Sequence, residues 1–124
     1  MKITEICVGN YVYNKDNELC KVCVVNMITN SVIVDNYAHN DGTFYEYAID
    51  EIKGVPITNE ILNKEFRSDD QYKNEYYIND DISRYIVANG THIQIPCMGI
   101  FNMQYVHELQ QALKLLGIDK EIKL

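Results

Sequence analysis

Short runs of alternating apolar and polar residues fill the first half of the chain and predict β-strands. They are Ile6–Tyr13, Leu19–Met27, Ser31–Tyr37, Thr43–Tyr47 and Lys53–Ile57. Polar turns separate the runs, and Ala48–Ile52, just before the last one, fits a single tight helical turn. Several short strands at close spacing predict a small barrel or rolled sheet. A single turn before a last short strand is typical of SH3-like barrels, so we expect that architecture for residues 1–57.

The second half mixes a helix pattern with further strands. Thr58 is placed to cap a short helix that runs to about Phe66, and the polar residues 67–74 predict a loop. Strand patterns resume at Glu75–Ile78, Ser83–Ala88 and Thr91–Pro96. These runs predict a three-stranded antiparallel meander.

Asn89-Gly90, between two of these runs, is the strongest short hairpin signal in the chain. A two-residue turn at this pair places Tyr85 opposite Gln94. One face of the hairpin then carries Ile86, Ile93 and Ile95. The other face carries Tyr85, Val87, His92 and Gln94. We take Tyr85, His92 and Gln94 as a candidate binding or acid–base face.

The last stretch, Asn102–Ile118, has the period of an amphipathic helix. Its apolar stripe contains Tyr105, Val106, Leu109, Ala112, Leu113 and Leu116. Asn102 is placed to cap the first turn, and Gly117 to adopt the left-handed conformation that ends a helix. His107 falls on the polar side and is expected in solvent. The isoleucine face of the hairpin is the expected seat of this helix.

These patterns together predict an α+β fold. We expect residues 1–57 to form the SH3-like barrel and residues 58–74 a short helix and linker. Residues 75–124 then form the meander with its C-terminal helix. A chain of 124 residues has room for one domain or for two small units.

Charge and composition narrow the class of partner. Hydrophobic residues make up 47% of the chain, and ten tyrosines accompany three phenylalanines and no tryptophan. The net charge is −7, and residues 1–57 contain four lysines against eight acidic residues. Binding to nucleic acid or to anionic lipid depends on clustered Lys and Arg, so both are disfavoured. The chain shows neither a signal-peptide core nor a window long enough to span a membrane, so we expect a cytoplasmic protein.

Cys20 and Cys23 form a C-x-x-C pair, a spacing found in zinc sites and redox motifs. The pair lies in the strand pattern Leu19–Met27, where residues three apart point to opposite faces. No helix start follows the pair, as a redox motif would require. No second cysteine pair completes a zinc site, because Cys7 and Cys97 are single and distant. We therefore expect cysteines of a strand and no cofactor, with a metal site at Cys20 and Cys23 as the weaker alternative.

Three segments of the chain share motifs with a known group. They are Gly9-Asn10-Tyr11-Val12, Val55-Pro56-Ile57-Thr58, and Tyr105-Val106-His107 with Leu109 and Gln110. These segments resemble the IGNYV-, IPLT- and YVHQLQNL-like motifs of small uncharacterised proteins from gut Bacteroidetes, their phages and mobile elements. Glu108 stands where that group often has Gln. The resemblance implies a phage or mobile-element context and no particular activity.

The chain contains no recognisable catalytic motif. A glycine-rich phosphate loop, G-x-S-x-G and H-E-x-x-H are all absent from the sequence. Tyrosine enrichment, acidic charge and the SH3-like pattern favour a non-catalytic protein-binding or adaptor module, which includes self-association. The alternatives are a nucleic-acid-binding regulatory protein, and a small ligand-binding protein or enzyme that uses Tyr85, His92 and Gln94.

Overall fold

The computed structural model describes residues 1–39, 42–68, 74–78, 81–89, 92–96 and 99–124, and for 81–84, 89, 92, 100 and 101 the backbone alone. Over these residues the chain has an α+β fold with two five-stranded antiparallel sheets and two α-helices. It divides into an N-terminal unit, Met1–Val55 with Val106–Ala112, and a C-terminal unit, Pro56–Tyr105 with Leu113–Leu124. The predicted α+β class is confirmed. The three-part division at residues 57 and 74 stays a prediction.

The N-terminal unit contains one sheet, with the strand order β4-β3-β2-β1-β5. Its strands are β1 (Tyr11–Tyr13), β2 (Leu19–Asn26), β3 (Ser31–Asn36), β4 (Phe44–Ala48) and β5 (Lys53–Gly54). A 3₁₀ turn at Ile49–Glu51 precedes β5, where the sequence predicts a helical turn. Strand β1 lies between β2 and β5, since Val12 pairs with both Cys20 and Gly54. The sheet is not closed into a barrel, because the two-residue β5 pairs with β1 alone among the described strands.

Side chains alternate across this sheet between a buried inner face and an outer face. The buried core consists of Ile6, Val12, Cys20, Val22, Val32, Val34, Ile49 and Ile52. The register between β2 and β3 shifts between Val22 and Val24, so Cys23 is an extra residue in β2. Beyond this bulge, Val24 pairs with Ile33, and Val25 packs against the core. The bulge therefore changes which β2 residues point inward and keeps both strands paired.

The C-terminal unit contains a meander in which consecutive strands are neighbours, in the order β10-β9-β8-β7-β6. Its strands are β6 (Arg67–Ser68), β7 (Glu75–Ile78), β8 (Asp81–Asn89), β9 (His92–Ile95) and β10 (Ile100–Met103). The sequence predicts β7, β8 and β9 and misses the two outer strands. Strand β6 is a polar dipeptide inside a predicted loop. Strand β10 overlaps the start of Asn102–Ile118, the stretch whose spacing predicts a helix.

The register of β8 and β9 differs by two residues from the predicted one. Gln94 pairs with Val87 rather than with Tyr85, and Asn89 is a strand residue paired with His92. The turn residue Gly90 lies outside the described residues. A shift of two residues leaves every side chain on its face. Ile86, Ile93 and Ile95 are accordingly buried, and Tyr85, Val87 and Gln94 are half-buried.

Helix α1 spans Asn59–Glu65, and helix α2 spans Val106–Leu115. Oγ1 of Thr58 accepts a hydrogen bond from the N–H of Ile61 at 3.2 Å, which confirms the predicted cap of α1. The predicted cap of the last helix at Asn102 is wrong. Asn102 belongs to β10 and has a left-handed φ of 66°, so α2 begins four residues later.

The C-terminus of α2 follows the sequence closely. Gly117 has a φ of 69°. Its N–H donates to the carbonyl of Lys114, and the N–H of Ile118 donates to the carbonyl of Leu113, both at 3.0 Å. These two hydrogen bonds are those of a Schellman motif. The boundary between the two units lies within α2, between Ala112 and Leu113, and the seat of this helix on the isoleucine face stays a prediction.

Candidate functional site

The predicted binding face is the half-buried face of the C-terminal sheet. Tyr85 and Gln94 are both half-buried, on the face opposite Ile86 and Ile93. The backbone of His92 belongs to β9, and its side chain lies outside the described part of the structure. Tyr85 and Gln94 share a sheet face, and Tyr85, His92 and Gln94 stay candidate binding residues.

A groove of about 340 Å³ opens on the opposite side, at the buried face of β8 and β9. Its floor is apolar and includes the buried side chains of Leu62, Ala88 and Ile93. Thr58 and Gln104 are among the polar residues at its rim, and none of the lining residues carries a formal charge. Ligand pockets typically combine an apolar floor with a few polar groups in this way. The sequence gives no sign of this groove, because its lining comes from four separate segments.

The cysteine pair lies in β2, the strand that the sequence predicts. Cys20 is fully buried on the inner face, and its thiol donates to the carbonyl of Glu18 at 3.4 Å. Burial, and after it the charge of Glu18, raises the pKa of the Cys20 thiol to about 11. The thiolate is the nucleophilic and redox-active form of cysteine, and burial disfavours its formation at Cys20. Among the residues that the structure describes, no three His, Cys, Asp or Glu side chains form a group suited to a metal ion.

Glu18 is the centre of a polar cluster at the start of β2. Its Oε1 accepts hydrogen bonds from the amide groups of Asn14 at 3.0 Å and Asn36 at 3.2 Å. Its Oε2 lies 3.3 Å from Nε2 of His39. The hydrogen bonds from Asn14 and Asn36, followed by the charge of His39, lower the pKa of the Glu18 carboxyl. Glu18 is therefore an ionised acceptor held by neighbouring donors.

Asn14 shapes the turn that leads into β2. Its side chain is fully buried, and Oδ1 accepts from the N–H groups of Asp16 and Glu18 at 3.0 and 2.9 Å. Its Nδ2 also lies 3.2 Å from the hydroxyl oxygen of Tyr47. Asn side chains stabilise turns by such local hydrogen bonds. The cluster around Glu18 therefore stabilises the turn that leads into β2 of the N-terminal sheet.

His107 is buried, and the prediction that it points into solvent is wrong. Its exposed fraction is 3%. Burial lowers the pKa of the imidazole, because the charged form loses its hydration. The neighbouring residues Val106 and Leu109 are also buried, so the buried arc of α2 is wider than the apolar stripe predicts.

Gln110 connects α2 to the N-terminal strand by two hydrogen bonds of its amide group. Oε1 accepts from the N–H of Tyr11 at 3.0 Å, and Nε2 donates to the carbonyl of Gly9 at 3.0 Å. Gln111 adds a donation from Nε2 to Oδ1 of the buried Asn10 at 2.9 Å. Sequence reasoning missed this contact, since both glutamines fall on the polar side of the helical wheel.

The segments that carry the family resemblance have structural roles. In the N-terminal unit, the N–H of Val106 donates to the carbonyl of Val55 at 2.8 Å. In the C-terminal unit, Pro56 forms a β-bridge with Tyr105, and the N–H of Ile57 donates to the carbonyl of Gln104 at 2.9 Å. These positions join stretches of chain that are about fifty residues apart in sequence, a loop closure whose entropic cost such contacts offset.

A set of apolar side chains with accessible surface lies on the outer face of the N-terminal sheet. It comprises Tyr13, Leu19, Val24, Ile33, Tyr37 and Phe44, as the strand register places them. The exposed fractions are 60% for Phe44, 45% for Val24 and 42% for Tyr37. The Tyr37 ring lies 6.3 Å from that of Tyr11. Aromatic side chains with accessible surface are typical of protein interfaces.

Comparison with family models, with curated proteins and with solved structures returns no match for this chain. Within the described residues, no helix has the length and apolar character needed to cross a membrane. Geometry therefore defines two candidate sites, the outer face of the N-terminal sheet and the groove at the β8–β9 floor. The face of Tyr85, His92 and Gln94 stays a prediction from the sequence.

Proposed function

We propose that this protein is a non-catalytic protein-binding module whose contact surface is the outer face of the N-terminal sheet. The exposure of Phe44, Val24 and Tyr37 on one face carries this proposal. Single exposed apolar residues are normal on protein surfaces, whereas several that share one face mark an interaction site. Phe44 lies on β4, directly across from Asp35 on β3, so an apolar contact has an acidic group at its border. Interfaces commonly have this arrangement of an aromatic anchor with a polar rim.

The proposal includes an SH3-like character for the N-terminal unit. Two observations support it: β1 pairs with both β2 and the last strand β5, and a 3₁₀ turn at Ile49–Glu51 leads into β5. It also includes self-association as one form of binding, and the phage or mobile-element context that the resemblance implies. Each expectation has its own measurement. A structure of the isolated N-terminal unit tests the SH3-like character, and light scattering tests self-association. The identity of the captured partners tests the phage or mobile-element context.

A capture experiment with matched variants tests the binding function. The immobilised protein and its variants Phe44→Ser and Leu115→Ser are each incubated with a native cell lysate. The amounts of protein that they capture are then compared. Leu115 is 82% exposed on α2 and belongs to the C-terminal unit, so its replacement controls for a general loss of surface hydrophobicity. We expect Phe44→Ser to lose at least about tenfold of the captured protein, as an interface anchor does, and Leu115→Ser to retain it.

Two results would overturn the proposal. One is a strictly monomeric protein, by light scattering, that captures nothing in a Phe44-dependent way. The other is saturable binding of mixed DNA or RNA at low salt, which would favour the nucleic-acid alternative despite the net charge of −7.

The groove in the C-terminal unit favours a second function, binding of a small neutral ligand. Its uncharged lining and apolar floor match an uncharged aromatic or aliphatic group. Indole is a suitable probe, observed through chemical-shift changes of the Ala88 and Ile93 amides. The variant Ala88→Phe fills the floor and should abolish these changes, while Ala48→Phe, on an exposed strand residue, should not. Unchanged spectra of the wild-type protein at millimolar indole would exclude this second function.

A further inference from the structure

We propose that the open edge of β4 binds an extended, basic segment of a partner protein as an additional strand of the N-terminal sheet. The inference rests on the proposed protein-binding function, because β4 carries the most exposed aromatic residue of the outer face, Phe44. It goes further by assigning the backbone of one strand as the recognition element and by stating the chemistry of the partner.

The strand register determines which backbone groups reach this edge. The N–H of Ile49 donates to the carbonyl of Asn30 at 3.0 Å, so this pair is a hydrogen-bonded one. In an antiparallel ladder such pairs alternate with pairs whose N–H and C=O groups point away from the partner strand. The register of β3 and β4 continues without a shift from Ser31 opposite Ala48 to Asp35 opposite Phe44. The backbone groups of Phe44, Glu46 and Ala48 therefore point to the open edge.

One of these outward groups already has a partner. The N–H of Ala48 donates to Oε1 of Glu51 at 3.0 Å. The carboxylate of Glu51 therefore occupies the end of the edge, where the chain turns into the 3₁₀ segment. Phe44 and Glu46 remain, each with an outward donor and an outward acceptor, and β4 is the end strand of the sheet order among the described strands. This is room for a short added strand that ends before Ala48.

The edge lacks three of the features that usually prevent strand addition. Edge strands of monomeric proteins commonly carry a lysine, a proline or a bulge. The sequence of β4 is Phe-Tyr-Glu-Tyr-Ala, and its pairing with β3 has no register shift. The bulge of this sheet lies in β2, at Cys23, rather than at the edge. An edge of this kind is a template for another β-strand.

Charge identifies the partner as basic. Residues 44–51 contain Glu46, Asp50 and Glu51 and no Lys or Arg. Among the described residues, Lys15 approaches this stretch, with its Nζ 3.7 Å from Oε2 of Glu51. A second copy of the chain is a poor occupant, because antiparallel pairing centred on Glu46 puts two carboxylates directly opposite each other. A strand with Lys or Arg beside Glu46 makes the favourable cross-strand pair instead.

Blocked peptides of about nine residues serve as probes of strand addition. The first alternates Lys and Val, and the second alternates Glu and Val. The third is the Lys–Val peptide with N-methyl groups on two consecutive central residues, which removes donors from both strand edges. Fluorescence anisotropy measures the binding of each labelled peptide to the full chain. We expect the Lys–Val peptide to bind and each of the other two to bind at least about tenfold more weakly, since each loses either charge pairing or backbone hydrogen bonds.

Variants of the protein test the same edge from the other side. Glu46→Pro removes an outward N–H and the Glu46 carboxylate, which accepts from the Ser31 hydroxyl at 2.9 Å, but no ladder hydrogen bond, and proline is tolerated on edge strands. It should weaken Lys–Val binding at least about tenfold. Glu46→Lys keeps the backbone donor and should exchange the preference, so that the Glu–Val peptide binds better. Glu60→Lys, the same charge change on an exposed residue of α1, is the matched control and should leave both affinities unchanged.

The outcomes separate this inference from the proposed function. If the N-methylated peptide binds as well as its parent, or if Glu46→Pro binds normally, strand addition is wrong, while Phe44-dependent capture of proteins leaves the binding module intact. If neither Phe44-dependent capture nor peptide binding occurs, both proposals fail. Concentration-dependent dimerisation that Glu46→Pro abolishes would show instead that a second copy occupies the edge. Far-UV circular dichroism checks the fold of each variant, and Glu46→Lys provides an independent test if Glu46→Pro does not fold.

Discussion

The two units contain sheets of equal strand number but are stabilised by different kinds of buried group. The buried polar residues among those described are Asn10, Asn14, Ser31, Asn36 and His107, and all of them belong to the N-terminal unit. Apart from Glu65, whose side chain is 7% exposed, the described buried side chains of the C-terminal unit are apolar, with Leu62, Ile78, Ile86 and Ile95 among the most deeply buried. A buried amide requires specific partners at specific distances, whereas an apolar side chain requires only suitable volume.

This difference reflects how each sheet connects its strands. In the N-terminal unit, asparagine side chains accept backbone hydrogen bonds in four turns, through Asn10, Asn14, Asn26 and Asn36. In the C-terminal unit, the C-terminal tail is tied to α1: Lys120 lies 3.2 Å from Glu65, whose Oε1 accepts from the N–H of Lys123 at 2.9 Å. The N-terminal unit therefore depends on local polar geometry, and the C-terminal unit on apolar burial and on contacts of its tail.

The largest expected effect on stability is at the apolar core of the C-terminal unit. Leu62→Ala removes a fully buried side chain from the floor of the groove and enlarges a space that already exists. We expect a loss of about 3 kcal/mol in the free energy of unfolding, the usual size for Leu to Ala in a core. Urea unfolding followed by circular dichroism measures this loss. A change below about 1 kcal/mol would show that the C-terminal unit does not depend on burial at α1.

The variant Asn14→Ala tests how much the buried polar groups stabilise the N-terminal unit. This change removes four hydrogen-bonding contacts of a fully buried amide, to Asp16, Glu18 and Tyr47. It leaves buried groups without partners, so we expect a loss of about 2 kcal/mol. Amide hydrogen exchange should show faster exchange at β2 and little change at β7. Asp16→Ala, on an exposed neighbour, is the control, and equal effects of the two variants would contradict the assigned role of Asn14.

In a third experiment, two variants of Gln110 distinguish the contribution of its hydrogen bonds from that of its packing. Gln110→Glu keeps an oxygen that accepts from Tyr11 but replaces the donor to Gly9 with a second acceptor. Because two acceptors then face each other, we expect a loss of about 1 to 2 kcal/mol at neutral pH. Gln110→Met, of similar volume, loses both hydrogen bonds and should cost at least as much. A neutral outcome for both variants in thermal unfolding would remove Gln110 from the contacts that hold α2.

The smallest expected effect is a pH dependence at Glu18. Hydrogen bonds from Asn14 and Asn36 lower the pKa of this carboxyl in the folded protein. A lowered folded-state pKa means that the stabilisation is fully present above the ordinary glutamate pKa and is lost as the pH falls through the lowered value. Glu18→Gln should therefore unfold with a weaker pH dependence in the acidic range, and with little change at neutral pH. Parallel unfolding curves for both proteins across that range would contradict this linkage.

Local sequence patterns predicted the parts of the fold whose determinants lie close together in the chain. Strands β2 to β4, the cap at Thr58 and the Schellman motif at Gly117 each depend on residues within a few positions. Alternation and capping rules are local, so they need no knowledge of the partner. The two-residue register error of β8 and β9 shows the limit of such rules, because side-chain faces survive a shift of two and cross-strand neighbours do not.

The candidate sites were harder to predict for the same reason. The groove has its floor on α1, β8 and β9, and no short sequence window contains these segments together. The outer face of the N-terminal sheet follows from alternation, but the exposure of Phe44 depends on β4 being the end strand. The face of Tyr85, His92 and Gln94 stays a prediction, and a pull-down comparing Tyr85→Ala with Phe44→Ser would rank the two faces.

The sequence by itself determined the α+β class, the alternating faces of the central strands and the ends of the helices at Thr58 and Gly117, because short-range geometry decides these features. Only the tertiary structure decided that β1 lies between β2 and β5, that β10 takes Asn102 out of the helix, and that His107 is buried. These features depend on contacts between residues distant in sequence. Their energy arises when the segments meet, so no local pattern records it.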